Sequence, residues 1–333
     1  MTTFKLSCSL HLIAMPSANE TGIVLGYVLL GAALLSFYFQ FDDFRANVDY
    51  LNEYLESATV VVPFVPYLPP ISILDFFGSA CVCRTYRRNV EGRKSWFEVL
   101  VACTLMQFGG TTITGFLLGQ TPSWIMSKSA FPAMALAWWL TFYCPGDVFW
   151  KAIKNNSILL FVLGMFGAVS SAHAVSSWGV DKALFNAFHV NKEGISKAYM
   201  VCTLSGAFSA SGGGILTDVL GFFRPNKSFV PFRTPSLFMI DFYEASATIN
   251  KALLLAVVYY SLVNPHYPLP FGLDHVDKVT GHSILSILNL SIFFQSTHLP
   301  HVNVCQQVSS TLLGALNIQP VVNLHKAEHV KSE

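Results

Sequence analysis

Eight stretches of largely apolar residues, near 22–40, 63–83, 97–119, 131–150, 157–178, 198–223, 236–263 and 281–299, set the first limit on this chain. A helix crossing a hydrocarbon layer about 30 Å thick needs roughly twenty residues, and within lipid every backbone N–H and C=O must find its partner inside the helix. The chain therefore reads as an all-α polytopic membrane protein. Composition agrees, since only 12% of the 333 residues are charged and 53% are hydrophobic, whereas soluble domains carry about 25% charged residues. Mean hydropathy is +0.49. With 20 basic and 19 acidic residues the net charge is +1, so no overall field draws nucleic acid, and membrane lipids are the expected surroundings. The seven cysteines form no CxxC pair and lie mostly in apolar runs, where cysteine packs as a small hydrophobe. No disulfide framework, metal site or cofactor is expected. There is no HExxH or GxSxG sequence, so nothing points to an intramembrane enzyme. His298, His301, His325 and His329 lie near or in the tail and read as solvated imidazoles.

The run 22–40 is separated from the others by the acidic, amphipathic stretch 41–56. It can serve as a signal-anchor, a cleaved signal or an additional helix. Pro63, Pro66, Pro69 and Pro70 interrupt the second run and predict a short leading piece followed by a helix from about Pro70. We divide the chain into an N-terminal extension (1–62), a body (63–300) and a C-terminal tail (301–333). Ten basic residues fall in one set of alternate loops, among them Arg84, Arg87, Arg88, Arg93, Lys94, Lys151 and Lys154, against five in the other set. The positive-inside rule places the richer set in the cytosol.

Comparing the chain with itself reveals a repeat. Gly109-Gly110-Thr111-Thr112-Ile113-Thr114 lines up with Gly212-Gly213-Gly214-Ile215-Leu216-Thr217 at an offset of 103 residues (212 less 109), and the same offset pairs Pro122 with Pro225 and Pro132 with Pro235. Three spans separate equivalent points, so the copies cross the membrane in opposite directions. Inverted repeats of this kind build channels and transporters, whose permeation sites lie where interrupted helices of the two halves meet. Gly109, Gly110, Gly212, Gly213 and Gly214 can supply such interruptions, with Thr111, Thr112, Thr114 and Thr217 lining a polar path. Close helix packing is the competing role for the glycines. Few ionisable residues sit within spans: Asp75, Asp218, Asp241, Glu244 and Lys251. Such residues usually face an interior or water. Lys251 is the deepest, suited either to a salt bridge with Glu244 or Asp218 or to a pore-lining or gating position.

At these residues the sequence resembles the trimeric intracellular cation channel (TRIC) family of endoplasmic and sarcoplasmic reticulum membranes. The likeness is carried by Phe108-Gly109-Gly110, by Leu117-Leu118-Gly119-Gln120-Thr121-Pro122, by Trp138-Trp139-Leu140 running to Cys144-Pro145-Gly146-Asp147, and by Ser211-Gly212-Gly213-Gly214 with Thr217-Asp218. It covers about 63–300, and Lys251 falls where the family has a lysine in its sixth helix. The resemblance implies a homotrimer of seven-helix protomers, each built from two inverted three-helix units plus a seventh helix. It also implies a potassium-permeable pore in each protomer that balances charge during calcium release. Two departures stand out. The family's fourth helix carries a basic, phosphoinositide-binding motif, and its place here is taken by Phe166-Gly167-Ala168-Val169-Ser170-Ser171-Ala172-His173, without lysine or arginine. The apolar run 22–40 is likewise additional to the family's usual start. A secondary transporter and a non-conducting, lipid-binding scaffold are the alternative functions.

Overall fold

The structure is a computed structural model that describes residues 18–61, 69–90, 92–186, 198–223, 247–266 and 274–298, with the backbone alone for 18–28, 247 and 298. Its elements are almost all helical. They are α1 (Ala18–Gln40), α2 (Asp42–Ser57), β1 (Thr59–Val60), β2 (Ile71–Ser72), α3 (Ile73–Asn89), α4 (Trp96–Leu117), α5 (Ser123–Met126), α6 (Ala130–Phe142), α7 (Val148–Asn155), α8 (Ser157–Val175), α9 (Asp181–Leu184), α10 (Tyr199–Val219), α11 (Ala247–Val263) and α12 (Lys278–His298). Among the described residues three helical stretches are long and apolar enough to cross a membrane: Trp96–Leu117, Ser157–Leu184 and Tyr199–Val219.

The helix boundaries correct the expected spans in two places. The proline-rich approach to the second run ends in the antiparallel pairing of Thr59 with Ser72 and Val60 with Ile71. Ser72 then caps α3 by accepting from the Asp75 amide at 3.2 Å. The helix starts three residues after Pro70 and runs on to Asn89 rather than ending near 83. Arg84, Arg87 and Arg88 therefore ride on its last turns instead of a loop, where cations complement the helix dipole. The predicted span 131–150 is likewise two helices. α6 stops at Phe142, and the turn through Pro145 puts Gly146 at φ 68° and Asp147 at φ 59°, left-handed values from which α7 restarts. Proline at 145 removes an amide donor, and the left-handed pair turns the chain away.

α8 begins under an Asn156 cap whose Oδ1 accepts from the amides of Ile158 and Leu159 at 3.0 and 3.1 Å. It continues through a π-helical turn (Ser176–Val180) into α9. The first part of the predicted span 236–263, with Asp241 and Glu244, lies outside the described residues, as do Pro225, Pro235 and the tail 301–333.

Two cores follow the two halves of the repeat. Tyr86, Cys103, Phe108 and Met134 form one among α3, α4 and α6. Val175, Leu184, Leu255, Tyr259 and Leu285 form the other among α8, α9, α11 and α12. The halves are tied at their ends in a matching way. The Tyr86 hydroxyl donates to the carbonyl of Phe222, just beyond α10, and Asn186 Nδ2 donates to the carbonyl of Leu118, just beyond α4.

The run 22–40 is a helix lying antiparallel along α12. Tyr38, fully buried, packs on Ile284 and Ile287, while Gly31 meets Ser291. α2 follows it and inserts Asn52, 6% exposed, between α8 and α12. The amphipathic stretch thus packs against the body, and the division of the chain at residue 62 stands as our proposal about its organisation.

Candidate permeation site

The glycine repeat forms the crossing of α4 and α10. A β-carbon on Gly110 would fall on the carbonyl oxygens of Phe208 and Ser209, and one on Gly213 would fall on the carbonyls of Leu105 and Met106. A β-carbon on Gly109 would lie 3.0 Å from Gly213 Cα and 3.0 Å from Leu216; one on Gly212 would lie 3.0 Å from Gly110 Cα and 2.9 Å from Ile113. Each contact maps onto its counterpart by the same 103-residue offset, so the crossing has local two-fold symmetry with antiparallel helices. Lipid offers no hydrophobic force between helices, and small residues bring backbones close enough for dispersion to hold them. The expected interruption is absent, because both helices run unbroken through their glycines. What the glycines permit here is backbone approach. Gly214 differs from its neighbours, being exposed with nothing within 4 Å of a β-carbon.

The helix ends repeat as well. Gly119 and Gly221, at φ 64° and 70°, close α4 and α10. The amides of Gln120 and Phe222 then donate back to Gly115 and Thr217 in the same capping pattern. These are 102 apart (221 less 119), one residue out of step with the glycine contacts.

The threonine hydroxyls are mostly engaged by backbone. Thr111 and Thr112 both donate to the Phe108 carbonyl at 2.9 and 2.8 Å, and Thr217 donates to Gly213 at 2.7 Å. Thr114 reaches across to the Ser205 carbonyl at 3.1 Å and reinforces the crossing. Thr112 also accepts from Trp124 Nε1 at 2.9 Å. Of the four, Thr111 lines a cavity.

That cavity, about 240 Å³, lies between α2, α3, α4 and the start of α6, and its polar wall includes Glu56, Asp75, Thr111, Ser127 and Ser129. Asp75 is placed there by the first turn of α3, and Ser127 by its role in capping α6, where Oγ accepts from the Ala130 amide at 3.1 Å. Two carboxylates with several hydroxyls make a chamber suited to a cation and hostile to an anion. Sequence reasoning named Asp75 and Thr111 but missed Glu56, Ser127 and Ser129. The serines one and three residues before the apolar run of α6 were the available signal.

Asp218, in the last turn of α10, and Lys251, early in α11, are half-buried, and neither is without a partner. Asp218 lies toward the end of the bundle where Tyr86 meets Phe222, away from the Asp75 chamber, whereas α11 runs antiparallel to α10, with Tyr260 on Tyr199 and Ala256 against Gly206, which sets Lys251 near the level of the glycine crossing. Asp75 and Asp218 thus lie on either side of the glycine crossing, with Lys251 nearer its level.

The positions of the missing basic motif are taken up by packing. Phe166 stacks on Phe77 at 4.2 Å, Ser170 lies against Gly78, and His173 is buried between α2 and α12. An apolar groove of about 850 Å³ between α3, α8 and α12 carries Arg84 and Arg88 on its wall, with Phe161, Gly164 and Phe293. Close by, Arg87 makes a bidentate pair with Asp147 at 2.9 and 2.7 Å, also donates to the Thr141 carbonyl, and lies over the Trp150 ring at 4.5 Å. This explains why the Cys-Pro-Gly-Asp turn ends in aspartate: the left-handed residue aims its carboxylate at α3. The Arg87 hydrogen bonds hold the Asp147 carboxyl below its ordinary value.

Known proteins share this fold. The TRIC channel family model matches residues 90–262, just over half of the chain. The type B-B trimeric intracellular cation channel of Xenopus laevis is 24% identical over 198 residues, 58% of this chain and 60% of that one. The type B channel of Danio rerio is 24% identical over 296 residues, 85% of this chain and 89% of that one. A trimeric intracellular cation channel from C. elegans, solved in the absence of Ca2+, superposes with a TM-score of 0.51 at 18% identity, covering 78% of this chain and 98% of that one, a likeness of fold. The chain is a polytopic, all-α member of the TRIC channel family, a family of ion channels and not of enzymes.

Proposed function

We propose that this protein is a potassium-permeable cation channel of endoplasmic or sarcoplasmic reticulum membranes. It works as a homotrimer, giving counter-ion flux while calcium is released. The observation that carries this reading is the family match across both glycine-rich helices. Each protomer holds its own path, running past the α4 and α10 crossing between two polar levels. Asp75, Thr111 and the serines at 127 and 129 gather cations at one level, Asp218 governs the other, and Lys251 gates the path near the crossing between them. Gly109, Gly110, Gly212 and Gly213 set the width of the crossing, Thr114 braces it while Thr112 and Thr217 bond back within their own helices, and Gly214 faces away. Potassium ions are the permeant species, and membrane lipids fill the grooves around the path. The end of α3 with the segment leading to α4, α7, and the segment after α10 face the cytosol, a reading supported by their excess of basic residues.

Purified protein in planar bilayers tests this directly. A reversal potential that follows the potassium gradient, and shifts when sodium replaces potassium on one side, is the expected result. Anion-following or saturable, stoichiometric flux would replace the channel with a transporter. The groove bearing Arg84 and Arg88 favours a second reading, a non-conducting lipid-binding relative. Well-folded trimers that pass no current would select it.

A further inference from the structure

We infer that Glu56, His173 and His282 form a binding site for a divalent transition-metal ion of the zinc type, which staples α2 to α8 and α12. One ligand atom from each of the three residues lies within 4.8 Å of the others. His173 Nδ1 is 3.6 Å from Glu56 Oε2, and the two imidazole rings are 5.8 Å apart.

The hydrogen bonds around the cluster decide which atoms face inward. His173 Nε2 lies 3.1 Å from Asn52 Oδ1, which also accepts from Ser286 at 2.9 Å. An amide oxygen cannot donate, so Nε2 carries the proton and Nδ1 presents its lone pair. That nitrogen belongs to a side chain 1% exposed, and it has no hydrogen-bond partner. His282 Nε2 lies 2.9 Å from Asp181 Oδ2, a carboxylate that also accepts from Tyr259 at 2.8 Å and pairs with Lys278 at 3.1 Å. The other His282 nitrogen is thereby left as an acceptor. Glu56 Oε1 accepts from Ser177 at 2.6 Å, which leaves Oε2 uncommitted.

The unpartnered His173 lone pair, a Glu56 carboxylate oxygen and one ring nitrogen of His282 thus converge. A cation resolves that arrangement. The outer partners supply what metal-bound histidines generally have, an acceptor on the remote nitrogen that fixes tautomer and ring orientation. Two imidazoles and one carboxylate suit zinc-like ions better than calcium or magnesium, which take oxygen ligands. Ligand bonds of about 2.0–2.1 Å in a tetrahedral site put ligand atoms about 3.3 Å apart, so side-chain adjustments of roughly 1 Å close the set. Access is through Glu56, whose side chain is 32% exposed. The acids facing the cluster, Glu56 and Asp181, outweigh the single cation Lys278. His173 occupies the last position of the segment where the family's basic motif is expected, so a metal contact stands where a lipid contact is lost.

The test uses the full-length protein in detergent, stripped with a chelator and titrated with zinc by calorimetry. One equivalent per chain is expected, with a rise in thermal midpoint on addition. Cobalt(II) should give the visible absorption of a low-coordinate site. Glu56→Gln keeps the Ser177 contact and should lose the zinc-induced stabilisation. Asn52→Ala, which removes only an outer partner, should weaken zinc about 10–100-fold. Absence of stoichiometric zinc in the wild-type protein would overturn the proposal. So would equal affinity in Glu56→Gln and His282→Gln, or a metal-free protein stabilised instead by acid, which would make the cluster a protonated ion pair. Every readout is binding or stability, so the result stands apart from whether the protein conducts.

Discussion

The α4 and α10 crossing and the seam under α2 both join distant parts of the chain, but by opposite means. At the crossing no side chain intervenes at Gly110 and Gly213, and the halves meet backbone to backbone. At the seam Asn52, Glu56, His173, Ser177, Asp181, Tyr259 and His282 meet side chain to side chain through a chain of hydrogen bonds that leaves His173 Nδ1 without a partner. A backbone contact tolerates no added atom. A polar network tolerates no missing one, because a buried donor left alone costs its full desolvation. The two regions should therefore fail in opposite directions: growth should ruin the first, truncation the second.

The largest effect is expected at the crossing. Gly213→Leu sets a side chain against the carbonyls of Leu105 and Met106, neither of which can retreat without moving α4. Loss of about 3 kcal/mol or more is expected, at the upper end of overpacking costs, with collapse of the monodisperse peak in size-exclusion chromatography. Gly214→Leu, one residue on, meets open space and should elute as wild type. Equal behaviour of the two variants would break the comparison.

At the seam, Asn52→Ala deprives His173 Nε2 and the Ser286 hydroxyl of their shared acceptor, at a cost of about 1–3 kcal/mol. Limited proteolysis should then cut within 41–57 while the bundle survives. Asn52→Leu, larger but equally apolar, should be no better, since volume is not what the site lacks. A leucine variant as stable as the native protein would show the seam to be held by packing.

A smaller effect is expected at Asp75, where Asp75→Asn keeps the shape of the chamber and removes one carboxylate. Single-channel conductance at low salt should fall severalfold with stability nearly unchanged, and the deficit should shrink at high salt as screening takes over. Unaltered conductance would remove the chamber from the path.

The smallest concerns Arg87 and Asp147, a partly exposed pair with side chains 23% and 39% accessible. Because the folded carboxyl is held below its unfolded value, the pair's contribution is complete above the ordinary aspartate range and is lost as pH falls through the folded value. Arg87→Lys keeps the charge but not the bidentate fork. Its thermal midpoint should sit slightly below wild type near neutrality and converge with it in strong acid. A gap that persists there would assign Arg87's role to its stacking on Trp150.

Membrane class, the positions of most helices and the 103-residue repeat were legible in the residues alone, because each rests on local or periodic rules. A lipid-spanning helix must satisfy its own backbone over about twenty residues, and a duplicated motif shows itself by comparison with its copy. Pro63 to Pro70 announced a break, and Cys144-Pro145-Gly146-Asp147 carried the likeness to the family, although the apolar character of 131–150 hid the turn after Phe142. Whether a glycine pair opens a helix or admits a neighbour depends on what lies against it, and Phe208, Ser209, Leu105 and Met106 stand about a hundred residues away in the chain. The same holds at the seam. Glu56, His173 and His282 share no spacing and fall on three helices, so only packing could assemble them, and the threonines' engagement with backbone carbonyls became visible only once the helices were built. Lipid demands of a sequence that each helix be self-sufficient; which faces then touch is left to small residues and buried polar atoms, and those act only in three dimensions.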